Sequence, residues 1–213
     1  MKKFIFSILL GLAFFGCSKN EVVKTEDSSK FIKNIKKESQ RLVDLINDII
    51  HLSELDEKED VTFENINLEE VISETISLLS SSAAKRKISL KFANYAQSTW
   101  IKAVPSYVQE IVYNLVDNAI RYNKENGKVF ISLKNLQNGR LEFSVEDTGI
   151  GIPKEDQQRI FERFYRVDKS HSRETGGTGL WLSIVKYAVQ INKAKIFLES
   201  NLNIGTTITV TFA

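Results

Sequence analysis

The chain has 213 residues, 42% of them hydrophobic and 26% charged, with a formal net charge of +2. That composition supports a real core and excludes a disordered polyampholyte, while so even a charge balance argues against a nucleic-acid partner. One cysteine rules out an internal disulfide framework and any multi-cysteine metal site.

In chain order, Lys2 and Lys3 precede an apolar run over residues 4–15, followed by Gly16 and the sole cysteine, Cys17. A basic start, a short apolar stretch and a small residue make residues 1–20 a signal-like or membrane-anchor segment. The run is shorter than the roughly 20 apolar residues that span a bilayer. From Ser28 to about Leu55, Phe31, Ile35, Leu42, Leu45, Ile49 and Leu52 fall on an alternating four-three spacing. The pattern predicts one long helix with a stripe that needs a partner helix.

The acidic patch Asp56 to Asp60 reads as a hinge, and Val61 to Ile66 as a strand. Asn67 with Glu70 resembles a capping box, opening a helix to about Ala84. Ile88, Leu90 and Phe92 alternate as in a half-buried strand. A second helix starts near Pro105. Asn126-Gly127 is a turn into the strand of Val129, Ile131 and Leu133, and Asn138-Gly139 turns that into Leu141, Phe143 and Val145. An apolar helix from Gly179 to about Ile191 and strands at Ile196–Glu199 and Thr206–Phe212 close the chain. The mixed order predicts an α+β fold, a helix layer on one mixed sheet.

Three groups of residues carry chemistry. Glu110, Asn114 and Asn118 recur every four residues on the Pro105 helix and so share a face. Asn is a mediocre helix former, and oxygen ligands from Glu and Asn suit Mg²⁺. The segment Asp147-Thr148-Gly149-Ile150-Gly151-Ile152-Pro153 puts an acceptor at a strand end beside backbone that a ligand can approach closely. Gly176-Gly177-Thr178-Gly179 opens the next helix, where free N–H groups and the helix dipole favour an anion.

Together these resemble the boxes of bacterial sensor histidine kinases. Glu110-x-x-x-Asn114-Leu-Val-Asp-Asn118-Ala-Ile-Arg-Tyr is similar to the asparagine box, and Asp147-Thr-Gly-Ile-Gly-Ile-Pro to the first glycine box. Phe161-Glu-Arg-Phe164-Tyr-Arg resembles the phenylalanine box, and Gly176-Gly-Thr-Gly-Leu180 the second glycine box. The resemblance implies a Bergerat-type ATP-binding sandwich over residues 61–213. It makes residues 28–57 the second helix of the dimerisation and phosphotransfer hairpin. ATP and Mg²⁺ are the implied cofactors. Asp147 would accept from the adenine amino group, with Gly149 and Gly151 shaping the base pocket. Asn114 and Glu110 would act in catalysis and hold the metal, and Asn118 and Arg121 would contact phosphates. Gly177, Thr178, Gly179 and Leu180 would belong to the lid over the triphosphate.

The sequence departs from that family in three places. The family's acceptor is a His followed by Glu or Asp, with Pro four residues later, on the first of two helices. Neither His51 nor His171 matches, and only 27 residues precede the heptad helix, so the acceptor helix is expected to be absent. Trp181 stands where the family pattern has its last glycine; it is expected either to crowd the nucleotide or to fill an apolar gap. The signal-like start suggests a truncated or rearranged kinase gene.

The expected function is γ-phosphate transfer from ATP to histidine in two-component signalling, either in trans or not at all. A homodimer or heterodimer through residues 28–57 is expected, with an intact histidine kinase or a response regulator as partner and the membrane reached through residues 4–15. The ATP-binding domain is expected on the cytoplasmic side, with which a signal-like start conflicts. The alternatives are an anti-sigma-type serine kinase, a non-catalytic ATP-binding remnant and an exported lipoprotein.

Overall fold

The computed structural model describes residues 30–36, 38–40, 42–43, 46, 61–167 and 178–213. The apolar run 4–15, Cys17, His51, the acidic hinge, His171, Gly176 and Gly177 lie outside them. The chain divides into two units, residues 1–43 and 44–213. In the first, the described residues are helical (α1) and solvent-exposed. Phe31, Ile35 and Leu42 of the heptad stripe are among the exposed large apolar side chains.

The second unit runs β1 (Glu64–Asn67), α2 (Leu68–Lys85), β2 (Ser89–Asn94), β3 (Trp100–Ala103), α3 (Pro105–Arg121), β4 (Lys128–Asn135), β5 (Leu141–Asp147), α4 (Trp181–Ile191), β6 (Lys195–Asn201) and β7 (Gly205–Phe212). A five-stranded sheet has the order β2-β4-β5-β7-β6, with β2 parallel to β4 and every other pair antiparallel. β1 and β3 form a separate antiparallel pair. The three helices pack on the sheet through one core that includes Ile72, Ile111, Leu115, Ile131, Phe143 and Ile184.

Each element has a local cause. Asn67 ends β1 and caps α2: its side chain accepts from Glu69 N at 3.2 Å and donates to Glu70 Oε1 at 2.9 Å. Such a cap contributes on the order of 1 kcal/mol. Pro105 opens α3, where a missing N–H costs no helical bond. The N–H of Val104 before it is taken by Asn192 Oδ1 at 2.7 Å, while Asn192 Nδ2 donates to Ala188 O at 2.8 Å. The start of α3 is thereby tied to the end of α4. The other end of α3 is tied too, because Tyr122 O accepts from Ile150 N at 3.2 Å.

The two-residue strand period orders the sheet's inner face. Phe92, Ile131, Val145, Ile208 and Leu198 are register partners across all five strands. Two residues along lies the row Leu90, Val129, Asp147, Thr206 and Ser200. Alternation therefore carries Asp147 onto the face that packs against the helices. Among the described residues, no helix is long and apolar enough to cross a membrane.

Candidate functional site

At one end of the site, Asp147 terminates β5 in an inward-facing position. The N–H of Gly149 donates to its Oδ1 at 2.7 Å. Burial pushes the Asp147 carboxyl above its ordinary value; hydrogen bonds from Gly149 and Thr206 backbone partly oppose this, and the neighbouring Glu146 charge adds to it. The carboxylate is thus held in a partly desolvated place where a donor is worth more than in water.

The loop after Asp147 is fixed on both sides. Thr148 Oγ1 accepts from Lys128 N at 2.9 Å and donates to Asn123 Oδ1 at 3.2 Å. Ile152 N donates to Ser200 Oγ at 2.8 Å, and Gln157 Nε2 donates to the carbonyls of Ile152 and Ser200, both at 2.9 Å. Asn203 N reaches Ile150 O at 2.7 Å. Side chains are excluded at both glycines. A Cβ on Gly149 would stand 2.4 Å from Tyr122 O, and one on Gly151, at φ +67°, only 2.0 Å from Asn201 O. The close contacts at these positions are with the protein's own backbone, at the ends of α3 and β6.

At the other end, Glu110 and Asn114 line a cleft of about 520 Å³ between α2, α3 and α4. Asn114 is 4% exposed, and Glu110 Oε2 is withdrawn from solvent. Glu74, Tyr113, Leu78 and Trp181 also line the cleft. Burial first, and then the Asp117 charge, raise the Tyr113 hydroxyl above its ordinary value, so it remains a protonated donor at neutral pH. Asn118 lies one turn beyond Asn114 and is half-buried. Arg121 Nη2 pairs with Asp117 Oδ2 at 2.9 Å, which fixes the guanidinium at the end of α3.

Of the residues expected at the lid, Thr178, Gly179 and Leu180 are described. Gly179, at φ +79°, accepts at its carbonyl from Phe164 N at 3.0 Å, and Leu180 is fully buried at the start of α4. Thr178 is half-buried beside them. The segment carrying Phe164 is itself braced: Tyr165 OH donates to Asp156 Oδ1, and Arg159 stacks 4.1 Å over the Tyr165 ring. Trp181 packs against the core and lines the cleft with Val71 and Ile184, beside Glu110 and Asn114.

The motif residues therefore fall at two places joined by α3: Glu110 and Asn114 in the cleft, Asp147, Gly149 and Gly151 at the far end. Sequence reasoning missed Ser200, Thr206, Gln157 and the Tyr122 carbonyl. For Ser200 and Thr206 the only signal is strand register, which requires the sheet order; Gln157 and the Tyr122 carbonyl carry no local signal.

Residues 103–213 match the family described as histidine kinase-, DNA gyrase B-, and HSP90-like ATPase. The sensor-like histidine kinase SenX3 of Mycolicibacterium smegmatis is 36% identical over 182 residues, which cover 85% of this chain and 47% of that protein. The sensor histidine kinase WalK of Bacillus subtilis is 33% identical over 185 residues, covering 85% and 30%. The chain thus spans less than half the length of these curated relatives. Among solved structures, the nucleotide-free catalytic domain of histidine kinase ThkA has a TM-score of 0.61 at 28% identity, over 70% of this chain and 94% of that one. ThkA in complex with the response regulator protein TrrA gives 0.69 at 25% identity, over 92% and 52%. With more than half its length matched by the family model, the chain belongs to the histidine kinase-, DNA gyrase B- and HSP90-like ATPases and carries their ATP-binding domain.

Proposed function

We propose that residues 61–213 are the catalytic region of a sensor histidine kinase, which binds Mg²⁺-ATP and delivers its γ-phosphate to a histidine on a partner chain. One observation carries this reading: a single helix, α3, presents Glu110 and Asn114 to a cleft while its far end holds the Asp147–Gly151 loop. That arrangement suits a ligand with a hydrogen-bonding base at one end and phosphates at the other.

Asp147 accepts from the exocyclic amino group of adenine, in the pocket shaped by Gly149 and Gly151. Asn114 and Glu110 supply oxygen ligands for Mg²⁺. Two protein oxygens, with phosphate and water completing the shell, fit the ion's habit. Bound there, Mg²⁺ neutralises charge on the transferring phosphoryl group. Asn118, between the two ends, contacts phosphates; Arg121 lies at the Asp147 end of α3, and Thr178, Gly179 and Leu180 form the lid at the start of α4. The acceptor nitrogen attacks the γ-phosphorus, the bond to the bridging oxygen breaks, and ADP leaves.

The partner is an intact histidine kinase or a second copy paired through residues 28–57, and a response regulator takes the phosphoryl group onward. ThkA, a relative in fold and sequence, has been solved with such a regulator. Residues 4–15 associate the chain with the membrane, and the ATP-binding domain faces the cytoplasm.

The test is calorimetric titration with ATP in the presence and absence of Mg²⁺, followed by incubation with radiolabelled ATP alone and with a helix pair bearing an acceptor histidine. Label on the partner's histidine is the expected result. Saturable binding without label on any partner would reduce the chain to a nucleotide-binding remnant. Label on serine would favour the anti-sigma reading.

A further inference from the structure

The cleft holding Glu110 and Asn114 has an unusual lining. Glu74, Thr75, Ser106 and Gln109 share its lining with these two polar side chains; Val71, Leu78, Ile184 and the indole of Trp181 make an apolar wall, and none of the lining residues is Lys, Arg or His. An indole there presents 150–250 Å² of apolar surface where a small residue would leave room for water. Trp181 is the first residue of α4, and its backbone is well anchored. Leu180 before it is fully buried, and Ser183 Oγ donates to Leu180 O at 2.6 Å. The ring packs against the core, half-buried, with Ile184 one turn along the same helix.

We infer that Trp181 is a positioning residue that keeps water from the γ-phosphate, and so directs the phosphoryl group toward a protein acceptor and away from hydrolysis. The inference rests on the proposed reading of Glu110 and Asn114 as the phosphate end. In the reaction it suppresses, a water oxygen bonds to the γ-phosphorus and the bond to the bridging oxygen breaks. ADP and inorganic phosphate depart, and the water's proton passes to solvent. Excluding water from an active site is an established way to prevent this side reaction. The cleft's apolar wall performs it here with one side chain that a glycine would remove.

Two measurements test this on the full chain. With Trp100→Phe, an exposed position away from the cleft, Trp181 is the only indole, and its emission is recorded as Mg²⁺-ATP or Mg²⁺-ADP is added. A larger change with ATP than with ADP is expected, because only ATP carries the γ-phosphate. Separately, Trp181→Ser is expected to raise the kcat of ATP hydrolysis about tenfold with little change in KM, and Trp181→Phe to restore the slow rate. ATP that binds by calorimetry while Trp181 emission distinguishes nothing would overturn the inference and leave the kinase reading intact. Unchanged hydrolysis in a folded Trp181→Ser chain would do the same. Absence of ATP binding in the unmodified chain would remove the kinase reading itself, and the role of Trp181 with it.

Discussion

Gly149 donates its backbone N–H to Asp147 Oδ1 across 2.7 Å, two residues along the same chain. The bond holds a half-buried carboxylate in one orientation at the end of β5. The Thr206 backbone donates to the same carboxylate, so two backbone N–H groups fix its orientation. Burial raises this group's folded-state pKa above its ordinary value of 3.8. The folded protein therefore holds the Asp147 proton more tightly than the unfolded chain does. As pH rises from about 3.8 through the folded pKa, ionisation of Asp147 lowers stability; below both values the contribution vanishes.

Asp147→Asn is accordingly expected to separate binding from stability. The amide oxygen still accepts from Gly149, and no charge has to be desolvated. The variant should melt no lower than the unmodified protein at pH 7, because no carboxylate has to be desolvated. ATP binding should fall about tenfold or more with loss of the charged acceptor. Calorimetry of melting and of ATP titration, run side by side, checks both halves.

Asn114→Ala removes one of the two oxygen ligands proposed for the metal at a position that is 4% exposed. The expected mark is selective loss of the Mg²⁺ effect. Affinity for ATP with Mg²⁺ should drop about tenfold or more, while affinity measured in excess chelator changes much less. Equal losses under both conditions would mean that Asn114 supports the helix rather than the ion.

Asn192→Ala should destabilise without touching nucleotide chemistry. Asn192 is buried, and its amide satisfies both Val104 N–H and Ala188 O. Removing it leaves the Val104 N–H without that partner, while Ala188 O keeps its bond from Asn192 N at 3.1 Å, at a cost on the order of 1–3 kcal/mol. Chemical denaturation should show a lower midpoint with an unchanged slope.

Gly151→Ala should be worse than its single added methyl suggests. The φ of +67° is strained for alanine, and the new Cβ would fall 2.0 Å from Asn201 O, a backbone atom that can move only with β6. A loss of more than about 2 kcal/mol is expected from strain and displacement together. A thermal melt within a degree of the parent would contradict it.

Much of the architecture was legible because periodicity and turn chemistry agree. Asn67 and Glu70 announced the start of α2, and Asn126-Gly127 and Asn138-Gly139 the entries to β4 and β5. β3 was not foreseen: it is four residues long, begins with an exposed Trp100 and pairs with β1, a strand that itself starts at Glu64 rather than Val61. Short edge pairs leave almost no pattern. The chemistry-bearing residues of α3 and the Asp147 loop were visible because helical spacing and glycine are local signals. The Asn192–Val104 bond, between residues 88 apart, and the row joining Asp147 to Thr206 and Ser200 come from packing. No local signal encodes them.

The two ties at the ends of α3 have a further consequence. Val104 is held by Asn192 at the end of α4 and Tyr122 by Ile150 in the loop after β5, so both ends of the helix are anchored to neighbouring elements. Asn114 to Tyr122 is eight residues, or about 12 Å at 1.5 Å per residue. Helix α3 therefore sets the spacing between the Asp147 loop and the cleft. On the proposed reading, a nucleotide short of its terminal phosphates reaches only the near end, and the site tells nucleotides apart by reach.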